Sequence, residues 1–242
     1  MRAAFLFLLL TVMIAAKTAG QVSDLVASAF QKLDAKDYSG AIIDFNQALA
    51  QQPGDTAALI GVIRAYTASE NYKDAQKVVD DAIKQHPNIA DFYIRRGVLN
   101  NVSGQYRKAI PDFDKALELA PESKMVTIYV NRGISFLRDE NFDKALEDFN
   151  EALRINPRNG SALNYKAFLN YKLNNFGEAI EDFNKAIDID PDNAMSYYNR
   201  GMAYFRSGNK GKACSDFHQS CSKGNKNACR MIMAECEGVR KE

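Results

Sequence analysis

The chain has 242 residues and a formal net charge of +1, because 31 lysines and arginines nearly balance 30 aspartates and glutamates. This near-neutral charge produces no electrostatic field that would attract nucleic acid. A content of 46% apolar residues is typical of a globular rather than a disordered protein. Two histidines offer little material for a histidine-based metal centre or an acid–base relay. At roughly 150 residues per domain, the length fits one elongated domain or two small ones.

The first segment of the chain predicts export. Arg2 precedes an apolar run over residues 3–16, and polar residues follow from Lys17, which is the layout of a secretory signal peptide. Small residues before Gln21 predict cleavage after Gly20, so that residues 1–20 form the signal peptide. An uncleaved anchor is less favoured, because a helix of the run's length is about 21 Å long and the hydrocarbon core is about 30 Å thick. We expect a periplasmic or secreted protein with no membrane span after cleavage, or an ER-lumenal one in a eukaryote.

Beyond this segment, prolines divide the chain into units of about 34 residues. They are Pro53, Pro87, Pro121, Pro157 and Pro191. The residues that precede them are similar, as in ALEDFNEALRINP and AIEDFNKAIDIDP. In one such unit Ala145 and Ala152 lie two helical turns apart, Phe149 lies between them, and Phe142 begins the segment. This spacing predicts a helix that approaches its neighbour through small residues and fills the core with an aromatic ring.

These residues resemble the tetratricopeptide repeat (TPR) family, whose helix-turn-helix unit carries small, aromatic, Ala, aromatic, Ala and Pro positions in this order. Gly97, Gly133 and Gly201 occupy the small position of the first helix. The resemblance implies an all-α fold, a right-handed TPR superhelix (α-solenoid) of six helix-turn-helix repeats and a C-terminal capping helix. The expected repeats are residues 22–55, 56–89, 90–125, 126–159, 160–193 and 194–227, and the capping helix covers residues 228–242.

Three positions depart from the repeat pattern. Ile63 stands where a small residue is expected, which predicts looser packing in the second repeat. Pro111 falls inside a second helix and should bend it locally, because proline lacks a backbone donor. Two extra residues within 122–125 are expected to lie in a connecting loop, since helical pairs stack only on their neighbours.

Four cysteines lie close to the C-terminus, and in an exported chain they predict two disulfides. Cys214 and Cys221 cannot pair, because residues seven apart on a helix are about 10.5 Å apart and a bridge needs Cα atoms within about 7 Å. In an antiparallel hairpin, Cys214 lies level with Cys236 and Cys221 with Cys229, so we predict these two bonds. A zinc site or redox centre is less favoured, because the spacing lacks the short intervals of such sites.

The cysteine-rich tail is also similar to the bridged helical hairpins of Sel1-like repeat proteins. We expect the bonds to fasten the capping helix, since the last repeat has no neighbour to bury its outer face.

No nucleotide-binding, hydrolase or metalloprotease motif occurs in the sequence. Acidic residues such as Glu147 and Glu151 recur with the repeat and are expected on solvent-facing helix positions. We therefore expect no catalytic residue, no cofactor and no metal. An enzyme with a repeat-built pocket is the disfavoured alternative.

The TPR resemblance implies a concave groove, lined by the first helices, that binds a peptide or a partner helix. Arg138, Lys172 and Arg206 recur as a basic row, which favours an acidic segment or a C-terminal carboxylate and resembles in part the carboxylate clamp of chaperone-binding TPR domains. The predicted groove residues are Asn131, Ile134, Arg138, Asn164, Phe168, Lys172, Tyr198, Asn199, Met202 and Arg206. The alternative is that they serve only packing and solubility.

We thus expect a non-catalytic exported scaffold that binds a protein or peptide and no nucleic acid. The alternative is a chaperone-like holder of clients in the ER lumen or periplasm.

Overall fold

The computed structural model describes residues 20–236, and within this range all regular structure is helical. The expected signal peptide lies outside the described residues except for Gly20, as do residues 237–242 of the expected capping helix. The chain forms two compact units, which meet at Ala120 and Pro121 in the sequence. In the part of the chain that the structure describes, no helix has the length and apolar character needed to cross a membrane.

The first unit contains three helical pairs. Its helices are α1 (residues 20–34), α2 (Tyr38–Gln51), α3 (Thr56–Ala68), α4 (Tyr72–Gln85), α5 (Ala90–Val102) and α6 (Tyr106–Leu119). The second unit contains three further pairs and a final helix. Its helices are α7 (Glu122–Arg138), α8 (Phe142–Ile155), α9 (Gly160–Lys172), α10 (Phe176–Ile189), α11 (Ala194–Arg206), α12 (Lys210–Ser222) and α13 (Lys226–Glu235).

Polar side chains set where many of these helices begin. Asp55, Asn159 and Asn193 lie at N-caps and accept hydrogen bonds from backbone N–H groups of the first turn. Within a pair, the turn between the two helices contains a residue with positive φ, which glycine adopts most easily. Gly104 and Gly208 fill this position in two pairs, whereas other pairs carry a residue with a side chain there.

In most pairs, the core is a phenylalanine of the second helix packed against a small residue of the first. A Cβ atom added to Gly97 or Gly133 would lie 2.7 Å from the ring of Phe113 or Phe149, which is too close for any side chain. Both rings are fully buried. The small position of the repeat is therefore dictated by the aromatic ring that packs on it.

The two irregularities predicted in the first unit, at Ile63 and Pro111, are both found. Ile63 is 1% exposed and shares a core cluster with Val79, which is fully buried, yet α3 packs on α4 less extensively than α5 packs on α6, as the expected looser packing of the second repeat requires. Val79 stands where other pairs have phenylalanine, so a larger residue on the first helix is matched by a smaller one on the second. Pro111 lies inside α6 as expected, and the helix continues through it to Leu119.

One predicted boundary is wrong, and another differs from the structure by two residues. Residues 122–125 belong to helix α7, which has 17 residues where α9 has 13, so the extra residues lengthen a helix and not a loop. Pro121 occupies the N-cap, and Glu122 follows in the first turn, where a carboxylate is favourable. The final helix begins at Lys226 and not at residue 228, because the Asn225 side chain accepts hydrogen bonds from the first turn.

Two disulfides join α12 to the end of the described chain. Cys214 bonds to Cys236 with Cα atoms 5.6 Å apart, and Cys221 bonds to Cys229 with Cα atoms 4.9 Å apart. These are the pairs expected from the hairpin geometry. The core cluster at this end is built around Phe217, and it includes Cys214 and Cys236, so the first bond is itself part of the apolar packing.

Candidate functional site

The ten predicted groove residues all lie on α7, α9 and α11, the first helices of the three pairs in the second unit. A pocket of about 420 Å³ opens between these helices. Four of the predicted residues line it, namely Arg138, Asn164, Phe168 and Asn199. The structure therefore brings a cationic group, two amides and an aromatic ring to one place.

Contacts within α9 and between α9 and α11 hold the pocket side chains in position. Asn164 on α9 accepts a 2.8 Å hydrogen bond at Oδ1 from the Ser196 hydroxyl of α11, which leaves its amide N–H groups to donate. The Phe168 ring stacks on Tyr171 at 6.3 Å between centroids. Lys172 Nζ lies 5.6 Å from the centre of the Phe168 ring, so this cation borders the pocket although it does not line it.

Four lining residues were not predicted from the sequence: Ser161, Tyr165, Asn193 and Met195. Met195 is 55% exposed and offers an apolar surface at the start of α11. Tyr165 stacks on the buried Phe149 at 6.0 Å, which fixes its ring. These residues lie at the second and sixth positions of α9 and at the N-cap and second position of α11, which the groove prediction did not include.

The other predicted residues have different surroundings. Asn131 donates from Nδ2 to the Thr127 carbonyl of its own helix at 2.8 Å. Ile134 packs against the core cluster of the middle repeats, and Tyr198 and Met202 pack against the cluster around Phe217. Arg206 is exposed and does not line the pocket.

A set of buried carboxylates contradicts the expectation that acidic residues face solvent. Each belongs to the second helix of a pair and is at most 8% exposed. They are Asp44, Asp112, Asp148, Asp182 and Asp216. The sequence carried a signal for three of them, because an arginine precedes Asp112, Asp148 and Asp216 by 16 residues and binds each of them.

Two arginines of this set, Arg96 and Arg200, each bridge three helices. Arg200 on α11 donates from Nε and Nη2 to the two carboxylate oxygens of Asp216 at 2.8 and 2.7 Å. From Nη1 it donates to the Asn184 side chain of α10 at 2.6 Å. Arg96 binds Asp112 in the same way and reaches Asp80 of α4 at 2.8 Å. Arg96 and Arg200 thus each tie their own pair to the second helix of the preceding pair.

Burial and hydrogen bonding act in opposite directions on these carboxylates. Burial raises the pKa of Asp216 above its ordinary value, and the hydrogen bonds from Arg200 oppose that rise. The pKa of Asp44 is lowered, because Lys32 and Ser28 hydrogen-bond to its ionised form. Since these groups are buried and bonded within the helical pairs, they are packing elements, and the described residues contain no cluster suited to a metal ion.

Models of one repeat family match this chain. Two models described as tetratricopeptide repeat match residues 32–94, and residues 90–123 and 126–159. A third, described as TPR repeat, matches residues 169–208, and together the matches cover more than half of the chain. The chain belongs to the tetratricopeptide repeat family.

Solved structures share this TPR fold at low sequence identity. PilW, described as a widely conserved type IV pilus biogenesis factor, is 18% identical with a TM-score of 0.80 over 88% of this chain and 98% of PilW. YrrB, described as a TPR protein with an unusual peptide-binding site, is 20% identical with a TM-score of 0.58 over 78% of this chain and 97% of YrrB. The expected all-α TPR solenoid class is therefore confirmed.

A curated relative is similar over a shorter stretch. Mouse serine/threonine-protein phosphatase 5 is 28% identical over 107 residues, which are 44% of this chain and 21% of the phosphatase. The match thus spans about a fifth of that protein.

Proposed function

We propose that this TPR protein is a non-catalytic scaffold that binds a peptide segment of a partner protein in the pocket of its second unit. The observation that carries the proposal is the convergence of Arg138, Asn164, Asn199 and Phe168 on one pocket of about 420 Å³. Polar groups placed among apolar walls are typical of a ligand site.

The lining groups suit an extended peptide. Amide side chains of Asn164 and Asn199 can donate to and accept from a peptide backbone, which has both kinds of group at each residue. Phe168 and the exposed Met195 supply apolar contact for a peptide side chain. Arg138 at the pocket and Lys172 at its border favour a segment with an acidic side chain or a C-terminal carboxylate.

We further propose that the protein works outside the cytoplasm, in a bacterial periplasm or as a secreted protein, or in the ER lumen of a eukaryote. Both disulfides support this, because such bonds persist in oxidising compartments. The apolar segment over residues 3–16 supports it as well. A role in envelope assembly, secretion or motility agrees with the fold shared with PilW.

The test is crosslinking and pull-down in the native host with a charge-reversal variant, Arg138→Glu/Lys172→Glu/Arg206→Glu. The matched control is Arg158→Glu/Lys226→Glu/Arg230→Glu, which changes the net charge equally on exposed residues of the same unit. We expect the groove variant to lose specific partners that the wild type and the control retain. Identical partners in all three would refute the groove, and capture of many unrelated unfolded proteins would identify a client holder instead.

A further inference from the structure

A further pocket lies in the first unit, between α4, α5 and α6. Its volume is about 580 Å³, which is within the range of small-molecule sites. Gln76 of α4, Tyr93 of α5 and Lys108 of α6 are among the residues that line it. All its lining residues belong to the first unit, whereas the predicted groove residues belong to the second, so this first-unit pocket is a separate site.

One lining residue of the first-unit pocket is polar at a position that is otherwise apolar. Gln76 follows the first alanine of its second helix. The residues at the equivalent position of the other second helices are Ile42, Ile110, Leu146, Ile180 and Cys214. Gln76 therefore gives up an apolar contact that every other repeat makes available, and it lines the pocket instead.

Two further lining residues are unfavourable for the helix that carries them. Gln105 is the N-cap residue of α6 and makes no side-chain cap bond. The residues that cap a second helix at this position in other pairs are Asp37, Asn71, Asn141 and Asn209. Pro111 lies inside α6 and removes one backbone donor. Three departures from the local rules of the repeat thus converge on one pocket, which is typical of a functional site.

Hydrogen bonds fix the lining side chains and leave both donors and acceptors for a ligand. Gln76 donates from Nε2 to Asp80 at 2.9 Å, which leaves its Oε1 to accept. Lys108 donates from Nζ to Oε1 of Gln105 at 2.7 Å, so both side chains retain N–H groups to donate. Asn100, which is 6% exposed, donates from Nδ2 to a buried carboxylate of α6 and keeps Oδ1 as an acceptor.

The charges around the pocket balance one another. Arg96 donates to Asp112 at 2.7 Å and to Asp80 at 2.8 Å, so two carboxylates surround this one guanidinium. Lys108 supplies the second positive charge. The Arg96 guanidinium also lies 5.8 Å from the centre of the Tyr93 ring and helps to position it. A strongly charged ligand of either sign would meet a like charge here, so the lining favours a neutral polar ligand.

We propose that the first-unit pocket binds a neutral saccharide. A hydroxyl group both donates and accepts, so neighbouring sugar hydroxyls match a lining that mixes donors and acceptors. The apolar part of the lining within residues 20–236 consists of two rings, those of Tyr93 and Pro111, which can contact the C–H face of a sugar ring. A peptide is less suited, because its side chains need apolar contacts such as Phe168 and Met195 provide in the pocket of the second unit.

The experiment titrates the full chain, with its disulfides formed, with cellotriose, maltotriose and triacetylchitotriose, and follows binding by saturation-transfer difference NMR. We expect saturable binding of at least one of these saccharides. Gln76→Leu/Gln105→Asn should weaken that binding about tenfold or more, as expected for the loss of two hydrogen bonds. Equal binding by this variant and the wild type would refute the proposal, and so would the absence of saturable binding for all three saccharides.

The matched control is Gln47→Leu/Gln51→Asn, which makes the same two changes at exposed residues of α2. It should bind as the wild type does, and equal weakening by the control would contradict a local site. The charge-reversal variant of the second unit should also keep saccharide binding; if it alone loses binding, the saccharide occupies the second unit and the proposal is wrong. Binding of capped pentaglycine in place of the saccharides, weakened by Gln76→Leu/Gln105→Asn, would identify a peptide site instead.

Thermal unfolding separates a binding role from a folding role. Gln76→Leu restores the apolar residue of the other repeats, and Gln105→Asn restores a residue that caps helices. We therefore expect the thermal midpoint of the double variant to equal or exceed that of the wild type although its saccharide binding is weakened. A lower midpoint would mean that the two glutamines stabilise the fold, and their assignment to a ligand site would be wrong.

Discussion

Replacement of the Arg200–Asp216 pair tests whether the buried charges stabilise the TPR core or are merely accommodated by it. Asp216→Val leaves the Arg200 guanidinium, whose side chain is 19% exposed, without its bidentate partner. Arg200→Val leaves the Asp216 carboxylate, 6% exposed, in an apolar setting. Breaking a buried pair from one side typically costs 3–5 kcal/mol, and because Asn184 still binds Arg200 we expect about 3 kcal/mol for Asp216→Val.

The double variant should be much less affected. The second repeat already carries Val62 and Val78 at the two equivalent positions, and both belong to or pack against one core cluster. Since the repeat accepts an apolar pair there, and buried ion pairs are often replaced without loss, Arg200→Val/Asp216→Val should cost at most about 1.5 kcal/mol. With about 3 kcal/mol or more for each single change, their sum would exceed the double change by about 4.5 kcal/mol or more.

The assay is urea unfolding followed by circular dichroism on the four proteins of this double-mutant cycle. Repeat arrays can unfold in stages, so the comparison holds where the slopes of the transitions agree. Additive effects of the two single changes would refute the reasoning, because they would mean that each side chain is stabilised independently of the other.

Three further predictions concern a turn, a disulfide and pH. Glu140→Gly should stabilise the chain by about 0.5–1 kcal/mol, because Glu140 has φ 61°, a conformation that glycine adopts without strain; a lower urea midpoint would contradict this. Cys214→Ser/Cys236→Ser should destabilise it by about 3 kcal/mol and speed amide exchange in α13 first; unchanged exchange there would show that the bond does not fasten the helix. In an NMR titration of the carboxyl carbons, the pKa of Asp44 should lie below the ordinary aspartate value and that of Asp216 above it. The contribution of Asp44 to stability is present above the ordinary aspartate pKa and is lost as pH falls through its lowered pKa. The contribution of Asp216 is present below the ordinary pKa and declines as pH rises through its raised pKa. The reverse order of the two pKa values would contradict both assignments.

The helical pairs could be predicted because each is encoded locally. In most second helices the alanines and the phenylalanine lie within eight residues of one another, and a proline follows the second helix of the first five units. This spacing can be recognised in the sequence without knowledge of the fold. The disulfides could be predicted for a related reason, since a hairpin turning at Gly224 leaves few pairings that satisfy bond geometry.

The pocket was harder to predict, because it depends on three helices at once. Arg138, Asn164 and Asn199 come from three different repeats, and the sequence pattern assigns each of them to a helix face separately. Met195 and Asn193 enter the pocket from the start of α11, where the path of the incoming chain matters as much as the helix face. A period of 3.6 residues predicts which face a residue occupies and does not predict how far along the helix a pocket extends.

The buried ion pairs were missed for a different reason, and this reason bears on what they do. A constant separation of 16 residues joins Arg96 to Asp112 and Arg200 to Asp216, so the pattern was visible, but an aspartate beside a phenylalanine on a helix is ordinarily solvated. Val62 and Val78 show that a helical pair can fold without charged residues at these two positions. What the arginine adds is a bond to the preceding pair, to Asp80 or Asn184, which an apolar residue cannot make. The charged side chains therefore specify how one helical pair packs on the pair before it. The double-mutant cycle separates that role from simple packing within the pair.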